Sequence, residues 1–309
     1  MITRMSTATA NERAIAAINE RGARIATLQQ QVSSGVKLQQ ASDDPLGAAQ
    51  AERLRSREAA IAVERRMMGH ASGMLRLAEG TIGGGIDVMQ SARELLIQAG
   101  NGTLLPSDRQ KIGEQLQAMR DQLFTIANTG DGTGGYVFGA RGTASAPFAP
   151  ASDPQFLPGD GTRATGTTMP FDTTVDGGAL FLGDGTAREG GSIFVALDRA
   201  IAVLSDPSPD TRAIAENRTA TLEMSGATLD ATLARAETAR AAVGSQLGAI
   251  ESRDRLLESG EIDAQARRSA IVDTDYVAAI SELQNASTAN EAAMKTYAQI
   301  SKMNLFDYL

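Results

Sequence analysis

Few residues in this chain are spaced for chemistry. The adjacent carboxylates Asp43 and Asp44 are one candidate, because paired acids can trade a proton or hold a divalent cation. No histidine, third carboxylate or convergent cleft accompanies them, so neither use is assigned. Thr129-Gly-Asp-Gly-Thr-Gly-Gly135 has the glycine content of a phosphate loop. It lacks Gly-Lys-Ser/Thr and leads into a strand pattern rather than a helix, so it is read as a flexible turn opening a hairpin at Tyr136. Asp-Gly steps at 131, 160, 176 and 184 are turn signals. They lack the regular acidic spacing and closing Glu of a calcium loop. The single histidine, His70, falls off the apolar seam of its segment and reads as a surface or edge residue. There is no cysteine, hence no disulfide, thiolate nucleophile or thiolate metal site. No catalytic, cofactor-binding or metal-ligating residue is assigned, no cofactor is implied, and the chain is read as a non-enzyme.

Composition excludes further classes. The net charge of −8 over 309 residues gives no push toward nucleic acid or anionic membranes. No stretch approaches the ~20 apolar residues of a membrane span. Met1 to Ala10 lacks the apolar run of a cleaved signal peptide, so the protein stays inside or leaves by a route that needs none. Aromatic residues make up only 4%, and none precedes Phe124. The first 123 residues must therefore bury their apolar surface with small and aliphatic side chains, which favours helices packed on helices.

The elements follow from spacing. Leu54, Ile61, Met68, Leu75, Ile82, Met89 and Leu96 recur every seven residues, and Ala71, Ala78, Gly85, Ala92 and Ala99 follow by three. This is a heptad with large residues at one seam position and small ones at the other, a pattern that predicts a long helix in a left-handed pairing. The helix is expected to run on through Gly83-Gly84-Gly85, held by packing although each Gly costs ~1 kcal/mol against Ala. A second helix is expected after Leu105-Pro106, with Ser107 and Gln110 as a capping box. A third is split at Asp206–Asp210, its second part carrying Leu222, Leu229, Ala236, Val243, Ile250 and Leu257 at spacing seven. Three long helices with matching repeats suggest a rod-like bundle. Between these zones, residues 130–191 hold 15 of the 31 Gly and five of the nine Pro, a composition of turns and short strands. Tyr136–Phe138, Thr167–Phe171 and Ala179–Leu182 are the strand candidates, and Phe148, Phe156, Phe171 and Phe181 the expected small core.

Both chain ends carry thinner stripes: Ile15, Ile18, Gly22, Ile25 and Val32 at the start, and Tyr276, Ile280, Leu283, Asn290, Met294 and Tyr297 near the end. Isolated helices of this quality are marginal in water. They need a partner, either each other in an ordinary intramolecular coiled coil or neighbouring subunits. Between the first stripe and the first long helix, Gly35 is placed to end a helix in a left-handed conformation, and Ser42-Asp43-Asp44-Pro45 to start the next.

Val32-Ser-Ser-Gly35 followed by Ala41-Ser-Asp-Asp-Pro45 resembles the signature near the start of bacterial flagellins, and Asp273-x-Asp275-Tyr276 with the stripe behind it resembles their C-terminal region. Within that superfamily, several motifs are most similar to the hook–filament junction proteins, the hook-associated protein 3 family. They are Ala99-Gly-Asn-Gly-Thr103, Asp108-Arg109, Arg120-Asp-Gln-Leu123, Gly135-Tyr-Val-Phe-Gly139, Ala146-Pro-Phe148 and the closing Asn304-Leu-Phe-Asp-Tyr-Leu309.

The resemblance implies a mainly α fold with a small β insert: an elongated flagellin-like bundle with paired terminal coiled-coil helices, a β-hairpin and a small β-rich outer domain. The implied organisation is an N-terminal axial helix and connector at 1–48 pairing with a C-terminal axial helix at 268–309. Outer helical layers at 49–142 and 191–267 would flank a Gly/Pro-rich β domain at 143–190. It also implies a structural, secreted role in the flagellum, with export unfolded through the type III apparatus and assembly into a ring-like homo-oligomer. That ring would lie between a hook-side junction protein and flagellin, and an export chaperone would cover the C-terminal segment beforehand. Neither nucleic acid nor membrane insertion is implied. Subunit contacts would fall on Ile15, Ile18, Ile25, Val32, Tyr276, Ile280, Leu283, Met294, Tyr297, Leu305, Phe306, Tyr308 and Leu309, with Gly35, Ser42, Asp43, Asp44 and Pro45 as connector. A flagellin proper, or an intracellular coiled-coil adaptor, would carry similar stripes.

Overall fold

A computed structural model of the chain describes residues 7–102, 104–139, 145–149, 155–156, 174–183, 191–207 and 211–306. Six α-helices account for most of them: α1 (Thr7–Ser34), α2 (Pro45–Ala99), α3 (Pro106–Ala127), α4 (Ile193–Ser205), α5 (Arg212–Val272) and α6 (Tyr276–Phe306). The chain divides into two compact units, one of Met1–Ile61 with Glu258–Leu309 and the other of Ala62–Leu257.

In the second unit α2 and α5 pack along the two heptad seams. Met68, Leu75, Ile82, Met89 and Leu96 of α2 are buried, as are Leu222, Leu229, Ala236, Val243 and Ile250 of α5. The small positions Ala71, Ala78, Ala92 and Ala99 are buried with them. Helix α2 continues unbroken through Gly83–Gly85. Gly85 is buried, and a Cβ there would meet Ile126 Cγ2 at an ordinary 3.7 Å. Charged pairs cross between the two helices: Arg65 donates to Asp254 (2.9 Å), Arg253 to Glu64 (2.9 Å) and Arg93 to Asp230 (2.6 Å). Such partly exposed pairs contribute about 0–1 kcal/mol each, whereas each fully buried Leu or Ile contributes about 1.5–3 kcal/mol. The seam therefore supplies the stability and the ion pairs set the register. That register is antiparallel, with Leu75 level with Val243 and Met89 level with Leu229.

Helices α3 and α4 pack closely. Gly113 lets them approach, since a Cβ there would stand 3.2 Å from Ser205 Oγ and 3.5 Å from Leu204 Cβ. Arg120 joins them by donating to both carboxylate oxygens of Asp198 (3.0 and 3.2 Å) while lying over the rings of Phe124 and Phe194. The expected capping box does not form. Pro106, whose missing N–H suits the first turn, begins α3 directly after Leu105, so Ser107 lies inside the helix rather than at its cap.

The Gly-rich zone folds onto these helices. Phe138, Phe148, Phe156 and Phe181 form ring contacts with one another and, through Phe148 and Phe181, with Phe194. Phe171 and the candidate strand Thr167–Phe171 lie outside the described residues. The Ala179–Leu182 strand is corrected: Gly178–Leu182 is a single π-helical turn. Asp176 starts it, its Oδ1 accepting from Ala179 N (3.0 Å). Leu180 and Phe181 are both buried, and Leu180 N donates to Asp176 O (3.1 Å), a turn-closing bond rather than a ladder bond. Among the described residues, extended pairing is limited to isolated bridges, Gly130–Tyr136 and Gly139–Asp176 among them. A single bridge stands where the hairpin at Tyr136 was expected. Its turn is built by Asp131, whose Oδ1 accepts from the amides of Thr133 (2.8 Å) and Gly135 (2.9 Å). Gly132 and Gly134 there take φ of 78° and 97°, the left-handed region that glycine enters without strain. His70 is exposed.

Candidate subunit interface at the paired chain ends

In the first unit α1 packs antiparallel to α6. Arg24 forms an ion pair with Glu282, and Arg21 Nη1 donates to the carbonyl of Ala289 (3.3 Å). Together they place Ile25 level with Leu283 and Ile18 level with Asn290. The residues that close the seam are Leu28, 6% exposed, and Ala279, 7% exposed. The sequence reading missed both. Leu28 follows Ile25 by three, and Ala279 follows Tyr276 by three, the same offset that carries Ala71 and Ala78 in α2. Along α6 the large/small alternation is Tyr276, Ala279, Leu283, Ala286, Asn290, Ala293, Tyr297, and every member after Tyr276 is buried or half-buried.

The two terminal stripes divide on this geometry. Ile18, Ile25, Val32, Leu283 and Tyr297 are half-buried in or beside the seam. Ile15 (45% exposed), Ile280 (43%) and Met294 (45%) stay largely open, as do Tyr276 and Val277. Ile280 and Met294 lie fourteen residues apart on one helix, close to four full turns, so they share a face. Leu305 and Phe306 lie in the last turn of α6, while Tyr308 and Leu309 fall outside the described residues. Asn290 carries a buried Oδ1 with no hydrogen-bond donor.

The connectors are tied to one another. Gly35 ends α1 with φ 72°, its N–H still donating to Gln31 O (2.9 Å). Beyond it the chain pairs with the α5–α6 link: Val36 bridges Asp273, Lys37 N donates to Val272 O (2.7 Å), and Thr274 N donates to Gly35 O (2.9 Å). The Gln31 side chain closes the corner by donating to Lys37 O (3.1 Å). Both acids of the pair at 43 and 44 are occupied by backbone donors. Asp43 Oδ2 accepts from Gln40 N (2.9 Å), and Asp44 Oδ1 accepts from Leu46 N (3.1 Å) and Gly47 N (2.9 Å). Asp44 thus caps α2, with Pro45 as its first residue. Ser42 is exposed, its hydroxyl 3.4 Å from Gln40 Oε1. Asp275 caps α6 in the same way, accepting from Val277 N (3.0 Å).

Among the described residues, no cluster of three or more His, Asp or Glu could hold a metal ion. A separate cavity of about 790 Å³ in the second unit is lined by Leu75, Val243, Ala239, Gln246 and Arg235. Its one cation is committed to the Leu180 carbonyl (3.0 Å) and the Thr232 hydroxyl (2.8 Å). What the paired ends offer is a helical surface for packing.

Comparison with known proteins agrees in kind. The model of the bacterial flagellin N-terminal helical region matches residues 5–143. Flagellar hook-associated protein 3 of Escherichia coli is 32% identical over 290 residues, spanning 90% of this chain and 90% of that protein. Polar flagellin C of Vibrio parahaemolyticus is 36% identical, but over 33% of this chain and 27% of that protein. Among solved structures, Xanthomonas campestris FlgL superimposes with a TM-score of 0.59 at 20% identity, covering 71% of this chain and 99% of that one.

Proposed function

Because the chain belongs to the family of flagellar hook-associated protein 3, within the bacterial flagellins, we propose that it is the structural subunit joining the flagellar hook to the flagellin filament. The observation that carries this reading is coverage. Similarity to hook-associated protein 3 spans nine-tenths of both chains, whereas similarity to the flagellin is confined to a third of this one. The family is one of structural flagellar proteins, and the mechanism is assembly rather than catalysis.

On this reading the chain travels unfolded through the type III export apparatus, with a chaperone on its C-terminal segment. It then joins copies of itself in a ring that contacts a hook-side junction protein at one end and flagellin at the other. The paired terminal helices form the axial layer. Ile15, Tyr276, Ile280 and Met294, half-exposed on the single chain, are covered there by neighbouring subunits, and the last residues, Leu305 to Leu309, join them. The connector Gly35–Pro45 links this layer to the outer helices.

A strain lacking the gene tests the reading. It should build hooks without attached filaments and release flagellin into the medium, and the intact gene should restore filaments. Normal filaments in the deletion strain would overturn it. Quantitative mass spectrometry of purified flagella separates a junction subunit, which is scarce, from a flagellin, which dominates. Cell fractionation separates both from an intracellular adaptor.

A further inference from the structure

The turn between α2 and α3 contains a step to which none of the contacts described above belongs. Asn101-Gly102 is the one Asn-Gly pair in the sequence. The other Asn residues stand in other settings: five lie in the helical runs of α1, α5 and α6, ahead of residues other than Gly. Asn128 is held at the end of α3 by hydrogen bonds to Phe148, its Nδ2 donating to Phe148 O (3.1 Å) and its Oδ1 accepting from Phe148 N (3.0 Å). The remaining one, Asn304, is in the last turns of α6, before Leu305. Asn101 and Gly102 are both exposed, just past the end of α2. Leu104 N donates to Asn101 O (3.3 Å), closing a turn over Gly102. Among the described residues no acceptor takes the Gly102 N–H, and a Cβ at 102 would meet nothing within 4 Å.

The geometry points to Asn101 as a site of spontaneous covalent change, deamidation through a succinimide. The Gly102 amide nitrogen, losing its proton, attacks Asn101 Cγ. A new C–N bond closes the five-membered ring while the Cγ–Nδ2 bond breaks, and the side-chain nitrogen leaves with that proton as ammonia. Water from bulk solvent then opens the ring at either carbonyl and leaves aspartate or isoaspartate. Glycine favours the attack because it has no Cβ in the nitrogen's path and a backbone free to rotate into reach. Helical amides are denied the same route, since their hydrogen bonds hold the nitrogen away from the preceding side chain.

The product differs from the parent in two ways. It adds a carboxylate beside the C-terminal end of α2, where the helix already presents partial negative charge. The isoaspartate form also inserts one extra backbone carbon between α2 and α3, next to the exposed side chains of Ile97 and Leu105. The change is one-way, so the fraction converted records the time since synthesis.

The test is a time course on the full-length protein in neutral and alkaline buffer, followed by tryptic mass spectrometry and an isoaspartate-specific methylation assay. Peptide 94–109 carries Asn101, and peptide 121–141, carrying Asn128, is the internal control. Conversion should accumulate in the first peptide and faster in alkaline buffer, with isoaspartate present. G102A should slow it about tenfold, because the added Cβ obstructs the nitrogen. N101Q should remove both the isoaspartate signal of peptide 94–109 and the new acidic species on isoelectric focusing; Asp-Gly steps elsewhere can isomerise but add no charge. If peptide 94–109 changes no faster than the control, or if G102A converts at the parent rate, the assignment is overturned.

Discussion

The hydroxyl of Tyr276, the first residue of α6, stands 2.7 Å from where a Cβ on Gly35 would be. Gly35 is thus required twice, once for its φ of 72° and once for the room that Tyr276 takes up. Gly35→Ala should destabilise the first unit by about 1–2 kcal/mol from the left-handed backbone alone, plus the clash. Thermal unfolding of the single and double variants separates the two costs. Adding Tyr276→Phe should recover the clash and leave the backbone cost, and full recovery would show that φ is not a constraint.

Leu28 and Ile280 should respond in opposite ways. Leu28 is buried in the α1–α6 seam, so Leu28→Ala should cost about 2 kcal/mol or more by thermal unfolding. The open face of α6 contributes little to the single chain, so Ile280→Asp with Met294→Asp should change stability by about 0.5 kcal/mol or less. The same double change should abolish filament attachment in a complementation assay. Normal attachment would show that this face is not a subunit contact.

Asn290 keeps its Oδ1 buried without a donor inside the α1–α6 seam, a state that costs about 1–3 kcal/mol. Asn290→Leu should therefore raise the unfolding temperature of the single chain and slow amide exchange along α6. A lower unfolding temperature would mean that Asn290 finds a partner in solution.

Asp131 gives the Gly130–Tyr136 turn an acid limit. Its burial alone would raise the carboxyl pKa, but the amides of Thr133 and Gly135 outweigh that and hold it below the ordinary value of 3.8. A depressed folded-state pKa contributes stability that is present above 3.8 and lost as pH falls through the lowered value. Amide exchange at Thr133 and Gly135 should accelerate across that window relative to neighbouring amides. Asp131→Asn should flatten the dependence; a slope unchanged by the substitution would assign it to another group.

Removing Asn304–Leu309 should leave the helical circular dichroism largely intact, because these residues make up only the end of α6 and the tail beyond it. Junction assembly should fail. Filament growth on the truncated protein would show that the closing apolar segment has no part in subunit packing.

The long seams were legible because a strict seven-residue repeat of large side chains has one reading, and burial from Met68 to Leu96 follows it. The ends of α1 and α2 were legible at Gly35 and Asp44, where the backbone needs a specific residue type. The terminal seam was harder. Its closing positions are filled by Ala279 and by the single Leu28, and small residues leave little mark in a hydrophobic pattern. The turn at Gly178–Leu182 was misread because a short apolar run between glycines fits a buried strand or a helical turn equally. What decides it is the Asp176 carboxylate accepting from Ala179 N, together with close packing: a Cβ on Gly177 would stand 2.8 Å from the Phe138 Cβ and carbonyl oxygen, and one on Gly178 2.6 Å from the Phe156 ring. The α3 cap failed for a local reason: Pro106 claims the first helical position before Ser107 can serve.

The link between Arg21 and Ala289 joins positions 268 residues apart, and the Val36–Asp273 bridge spans nearly as many. Loop closure on that scale is entropically costly until both ends are present. A chain emerging N-terminus first, from a ribosome or from a narrow conduit, can complete Ala62–Leu257 while its opening helix still lacks a partner. The α1–α6 pairing needs residues from both ends of the chain, so α1 finds α6 only after the segment carrying α6 has emerged.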